Sequence, residues 1–405
     1  MDEWFKKNID YRTLIITLLL MLIGTVAVYS ATYNAGASVV FYRQLLWMGI
    51  GFVLMALVAF VPFRTLQLLS YPIYITSVLA LLGVLIAGRT IAGSKSWFGV
   101  HGFGLQPSEI VKATTILAVA SFLSRRHINL NRLKDVLSVA AFVLLPVALI
   151  VAQPDVGTAL VFLGMIFLVM YWAGVSHFLV ITVLAPIAAA VASLYGITPF
   201  IIVIALALVI LLLIRENRFV SAIVFSMTVL VGISVQFIFG KLAPHQQKRI
   251  LIFMNPDSDP LGSGYNILQS KIAIGSGGLM GKGYLQGSQT QLHFIPAQWT
   301  DFIFCVPSEE FGFLGAVIIL ALFMMLLLRG ARIASTVKSR YASIVAIGVV
   351  STFAVHILIN VGMSMGVVPV IGVPLPFISY GGSNLLTNMI MIGLLLNMYA
   401  NRKEY

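Results

Sequence analysis

Twelve long apolar runs divide this chain, and they leave it few folds to choose from. They are Leu14 to Tyr29, Leu45 to Val61, Tyr71 to Ile86, Ser108 to Leu123, Val136 to Ala152, Val156 to Trp172, Phe178 to Tyr195, Phe200 to Ile214, Phe219 to Phe239, Leu314 to Leu328, Ala342 to Met365, and Leu385 to Tyr399. A bilayer core asks about 20 apolar residues of a helix, fewer where the segment is re-entrant. In hydrocarbon the backbone must satisfy its own hydrogen bonds, so runs of this kind become helices. Composition agrees: 60% of the 405 residues are hydrophobic and 9% charged, against about 25% charged in a soluble domain. The expected fold is all-α, a polytopic transmembrane helical bundle of 10 to 12 spans with one large extracytoplasmic loop. The first run keeps register with the loops that follow and is read as a helix of the mature protein.

The net charge of +12 does not point to nucleic acid, because most Lys and Arg residues sit in short loops between apolar runs. Lys6, Lys7, Arg12, Arg64, Arg125, Arg126, Arg132, Lys134, Arg215, Arg218, Arg329, Arg332, Lys338, Arg340, Arg402 and Lys403 fall on one side of the alternation. The positive-inside rule makes that side cytoplasmic, places both termini there, and puts residues 241–313 outside the cytoplasmic membrane. The chain reads as one integral membrane domain, 1–405, with the 241–313 loop inside it. Cys305 is the single cysteine, so no internal disulfide forms, and the six histidines show no metal-ligand spacing.

Ionisable groups at membrane depth cost about 2.5 to 3.5 kcal/mol each and are functional candidates by default. Glu109 and Lys112 in “QPSEIVK” share a helix face, and Asp155 opens the sixth run in “QPDVGT”. Two readings stand: a structural ion pair near the interface, or a polar cavity lined by Glu109, Lys112 and Asp155. His356, in the middle of the eleventh run, reads as hydrogen-bonded packing rather than a ligand.

The 241–313 loop is rich in Gly and amide side chains. Lys282 is not a P-loop lysine, since Ser276 stands where that motif needs Gly and Gly283 where it needs Ser or Thr. “YNILQSKIAI” is amphipathic and can lie in the membrane interface. A loop of this length without repeated strand patterning is typically a binding or catalytic element. It ends in “TDFIFCVPSEEFGF”, which holds Asp301, Glu309 and Glu310; the two glutamates read as the N-terminal cap of the following span.

Taken in order, “QPSEIVK”, “QPDVGT”, the stretch from Lys248 to Gly283, “TDFIF” with “EEFGFLG”, and “PLPFISYGGSN” from Pro374 to Asn384 resemble the SEDS family of peptidoglycan polymerases, and its RodA branch in particular. The resemblance implies a glycosyltransferase that joins lipid II units outside the cytoplasmic membrane and releases undecaprenyl pyrophosphate. It implies Asp301 as the catalytic base. It implies substrate-binding roles for Glu109, Lys112, Asp155 and Arg249; since a diphosphate favours cationic contacts, Lys112, Arg249, Lys271 and Lys282 are the candidates to meet it. A divalent cation, Mg or Mn, can share that last task, although the sequence shows no cage for one. The implied partner is a class B penicillin-binding protein transpeptidase. Lipid II transport, and a division or sporulation role, are the alternatives.

Two departures from the family pattern stand out. Where the family has Pro-Glu-x-His-Thr-Asp, this chain has Pro296, Ala297, Gln298, Trp299, Thr300 and Asp301, so that Glu and His are missing. Three runs from Phe178 to Phe239 also replace what is usually one, and an added pair keeps the orientation of everything downstream.

Overall fold

A computed structural model describes residues 9–91, 94–100, 103–130, 132–214, 218–241, 247 and 264–402. Each of the twelve apolar runs is a helix: α1 (Tyr11–Tyr33), α2 (Ser38–Phe60), α3 (Phe63–Ala87), α4 (Pro107–Leu123), α5 (Leu133–Ala152), α6 (Val156–Trp172), α7 (His177–Leu194), α8 (Ile197–Leu213), α9 (Arg218–Lys241), α13 (Gly312–Thr336), α14 (Arg340–Ser364) and α15 (Gly382–Ala400). Between α9 and α13 the described residues form three short helices, α10 (Tyr265–Ser276), α11 (Ser288–Gln291) and α12 (Cys305–Glu310). The protein is a multi-pass, all-helical membrane protein: nine of the described helices are long and apolar enough to cross a bilayer, and α6 and α8 are shorter apolar helices.

The sequence reading missed one element. Strands β1 (Arg89–Ile91), β2 (Ser94–Val100) and β3 (Phe103–Leu105) form an antiparallel sheet between α3 and α4. Its signal was the short stretch “KSWFGV” next to glycines, too brief to stand out beside helical runs. Ser94 Oγ donates to Gln153 O at 2.7 Å, which ties the sheet to the end of α5.

The chain divides into two compact units, Met1–Val169 with Asn266–Tyr405, and Met170–Tyr265. In the second, α7, α8 and α9 pack on one another. Ser176 caps α7 by accepting the Leu179 N–H, and α8 buries little besides Ala207 and Leu211. Such bare apolar surface suits lipid, which offers no hydrophobic penalty to an exposed Leu.

In the first unit α4, α14 and α15 are central. In α14 and α15, 78% of the most apolar window is buried, against 17% in α2. The central helices also hold the polar residues, as expected where a polar side chain facing lipid would be costly. The ends sort onto two faces. At one, Asp10 before α1 makes a two-point ion pair with Arg329 of α13, at 2.8 and 2.9 Å, and Arg329 lies over the Tyr399 ring near the end of α15. Both ends of the described chain are therefore on this face. At the opposite face lie the end of α1, the sheet, the starts of α4, α6 and α15, the segment 277–311, and the 366–381 connection.

Candidate active site

Pro107 opens α4 at its first turn, where a missing N–H costs nothing. Glu109 and Lys112 follow on one face. Lys112 Nζ lies 2.9 Å from both Glu109 carboxylate oxygens and 2.8 Å from His356 Nε2. Asn384 Nδ2 donates to Glu109 Oε2 at 2.9 Å. Lys112 is 1% exposed. An ammonium group has only donors, so His356 Nε2 must accept, and the ring proton sits on Nδ1. That N–H donates to Pro374 O at 3.1 Å.

Asp155 is half-buried. It accepts the Thr158 N–H at 3.1 Å and the Thr158 hydroxyl at 2.9 Å, as an N-cap of α6 does. Gln106 Nε2 also donates to it at 3.0 Å, which joins the starts of α4 and α6. Next to it, Gly157 meets the Ile371 carbonyl so closely that an added Cβ would collide with it. The 366–381 connection is thereby drawn onto the start of α6.

Asp301 stands against that same connection. Gly372 has φ +68, and a Cβ there would lie 3.6 Å from Asp301 Oδ2. The strip Trp299 to Asp301 is pinned at each residue. The Tyr380 N–H donates to Trp299 O at 2.8 Å, Ser379 Oγ to Thr300 O at 2.6 Å, and Asn360 Nδ2 to Asp301 O at 2.8 Å. Ala297 at φ +54 and Phe377 at φ +63 are non-glycine residues in the left-handed region beside this strip. Strained backbone of that kind clusters at functional sites. The Asp301 carboxylate itself has no hydrogen-bond or ion-pair partner among the described residues. Burial, uncompensated by any cation there, pushes its pKa up to about 6.

Lys271 projects from α10, exposed, with its side chain along the Gly366 backbone. No ion-pair partner for it occurs among the described residues. The helix is held by its other face: Ser270 donates to Ser364 O, and Ala273 packs with Ile295, Phe302 and Cys305. The apolar stripe expected to face the membrane interface is thus spent on protein. Lys282, by contrast, is engaged, 2.7 Å from Glu309 Oε1 and from Ser288 Oγ. Arg249 lies outside the described residues.

Glu309 and Glu310 do not cap α13, whose N-cap position is Phe311. They end α12 and turn back into the loop. Glu309 accepts the Gln289 and Thr290 N–H groups at 2.9 and 3.0 Å, so it caps α11 instead. Burial alone would raise its pKa, but those donors and Lys282 outweigh it and hold the carboxyl below its usual range. Glu310 bonds Ser30 of α1, the Leu285 N–H at 3.1 Å and Gln291 Nε2 at 3.3 Å. Here burial wins and the pKa is raised. A cap was the simplest reading of two acids before a span; sequence spacing could not show a loop folding back onto them.

Among the described residues no group of three or more His, Cys, Asp or Glu side chains is placed to hold a metal ion.

Nine described helices long and apolar enough to cross a bilayer, with Asp155 and Asp301 both set near the 366–381 connection at one face, define a polytopic membrane protein with a candidate site there. The chain belongs to the FtsW, RodA and SpoVE family, described as “Cell cycle protein”, which it matches over residues 11–201 and 194–404. It is 35% identical to the peptidoglycan glycosyltransferase RodA of Treponema pallidum, covering 98% of both chains. It is 36% identical to the stage V sporulation protein E of Bacillus subtilis, over 97% of each, and 33% identical to the peptidoglycan glycosyltransferase MrdB of Escherichia coli K12, over 99% of this chain and 96% of that one. Among solved structures it is similar to a peptidoglycan synthase complex described as coordinating polymerization and crosslinking, with TM-score 0.75 at 29% identity over 98% of this chain and 99% of that one. It is also similar to the Thermus thermophilus rod shape determining protein RodA, with TM-score 0.65 at 27% identity over 98% of each chain.

Proposed function

We propose that this chain is a peptidoglycan glycosyltransferase of RodA type that polymerises lipid II during cell elongation, with Asp301 as its base. The observation that carries the assignment of Asp301 is its half-buried carboxylate, without a partner among the described residues, on a strip whose every carbonyl is held. The acceptor sugar hydroxyl oxygen bonds to the anomeric carbon of the lipid-linked strand as the bond from that carbon to the pyrophosphate oxygen breaks. The hydroxyl proton passes to Asp301, and the electron pair leaves with undecaprenyl pyrophosphate. One displacement of this kind inverts the anomeric centre. A carboxylate whose pKa is near 6 is a stronger base than an ordinary one and is still ionised at neutral pH.

Among the described residues Lys271 is the cation best placed to meet the diphosphate, because it is exposed and has no ion-pair partner there, while Lys282 is spent on Glu309. Asp155 is the member of the polar set that substrate can reach; Glu109 and Lys112 are enclosed. Residues 241–313 act as the extracytoplasmic catalytic loop, and both termini are cytoplasmic, a reading supported by the ends of α1 and α15 lying on one face and by the positive-inside rule. A class B penicillin-binding protein is the proposed partner, supported by the resemblance to a synthase complex that couples polymerization with crosslinking.

Purified full-length protein in detergent should convert lipid II into polymer, and Asp301→Asn should lower the rate by on the order of 10³-fold with folding intact. Full activity in that variant overturns the base assignment. Absence of polymer in detergent, together with lipid II changing leaflet in liposomes, overturns the enzyme in favour of a transporter.

A further inference from the structure

We propose that Asn360 is the positioning residue of this site: its one amide group clamps the strip that carries Asp301 to the facing strip at Val373, and so sets where the carboxylate stands. The inference rests on the reading of Asp301 as the base.

Asn360 lies on α14 and is fully buried. Its Nδ2 donates to Asp301 O and to Val373 O, each at 2.8 Å. Both partners are carbonyls, which only accept, so the orientation of the amide is dictated by chemistry: nitrogen faces the strips and oxygen faces away. The two amide hydrogens are thus both committed. Oδ1 has no partner among the described residues, so the side chain is not there to satisfy a wider network of its own. A buried group that leaves one atom unpaired in order to bridge two loops is costly unless the bridge matters.

One helical turn earlier, on the same face of α14, His356 donates from Nδ1 to Pro374 O. The 373–374 segment therefore hangs from two donors on one rigid helix. His356 in turn is fixed by Lys112, and Lys112 by Glu109. The enclosed ion pair has a continuous bonded path to the segment that Asn360 joins to Asp301. The site is built so that a rigid central helix, rather than the loops themselves, holds the reacting carboxylate. Since a displacement of about 1 Å can cost about 10²-fold in rate, loss of the clamp is expected to be felt in turnover.

The test compares Asn360→Ala with Thr352→Ala, which removes a buried hydroxyl on the same helix that, among the described residues, bonds only Gly348 O. Lipid II polymerisation by the full chain in detergent is the readout. Asn360→Ala should lower kcat about 30- to 100-fold and leave KM within about twofold, because the substrate contacts remain. Asn360→Ser keeps one donor and should recover part of the loss, and it serves alone if the alanine variant does not fold. Thr352→Ala should match the parent. Equal kcat in Asn360→Ala and the parent, a loss confined to KM, or an equal loss in Thr352→Ala overturns the inference. If Asp301→Asn is inactive while Asn360→Ala is fully active, only the clamp fails; if Asp301→Asn is fully active, the base assignment fails and the clamp with it.

Discussion

Asp301 and the pair Glu309 and Glu310 belong to one short stretch of sequence, yet the fold treats them in opposite ways. Glu309 is met by Lys282 and two backbone N–H groups. Glu310 is met by Ser30, Leu285 and Gln291. These acids hold α1, α11 and the 277–291 segment together. Asp301 is met by nothing among the described residues, although the backbone beneath it is bonded throughout. The difference teaches that, of these three acids, the two met by donors hold the loop together, while the one held rigidly but left unpartnered among the described residues is available for chemistry. Glu109 belongs with the first kind, enclosed and saturated by Lys112 and Asn384.

The comparison can be broken most readily at Glu109. Glu109→Ala strands the Lys112 ammonium in the interior, and breaking such a buried pair costs about 3 to 5 kcal/mol; thermal unfolding in detergent should show it, and an unchanged midpoint would remove Glu109 from the structural group. Glu309→Ala should cost less, about 1 to 3 kcal/mol. The Lys282 side chain is 27% exposed and can hydrate, and the loss should appear as easier proteolysis of the 277–291 segment.

Asp301→Asn should do the reverse of both. The folded pKa of about 6 lies above the ordinary 3.8, so the ionised carboxylate is a burden on the fold, one that grows as pH rises from about 4 to about 6 and is constant above that. The neutral variant should therefore be more stable than the parent at pH 7.5, by on the order of 2 kcal/mol, and equal to it near pH 4. A variant no more stable at pH 7.5 would mean that Asp301 has a partner in solution. The smallest effect is expected at Lys271. Lys271→Ala should raise KM for lipid II by roughly five- to tenfold, about 1 to 1.4 kcal/mol, with stability unchanged.

Much of the fold was legible in the linear pattern. Each apolar run became a helix, because hydrocarbon leaves a spanning backbone no other way to satisfy itself. Glu109, Lys112 and Asp155 were legible as unusual because charge at membrane depth is rare. The sheet at Arg89–Leu105 was missed because its strands are short and lie beside stronger helical signals. His356 was rightly read as hydrogen-bonded packing, but its partners, Lys112 and Pro374, are too far off in sequence to be inferred. Asn360 gave no signal at all, since an amide in an apolar helix has many bland explanations.

By itself the sequence determined the class of protein, where its apolar helices lie along the chain, the sidedness of its charge and the few polar residues that needed a reason. These follow from local rules: period, length, charge and the cost of desolvation. Only the tertiary structure decided which acids are partnered and which is left alone among the described residues. That depends on contacts such as Ser30 with Glu310, Lys112 with His356 and Asn360 with Asp301. Each joins segments distant in the chain, and a hydrogen bond acts only at the short range that folding brings about.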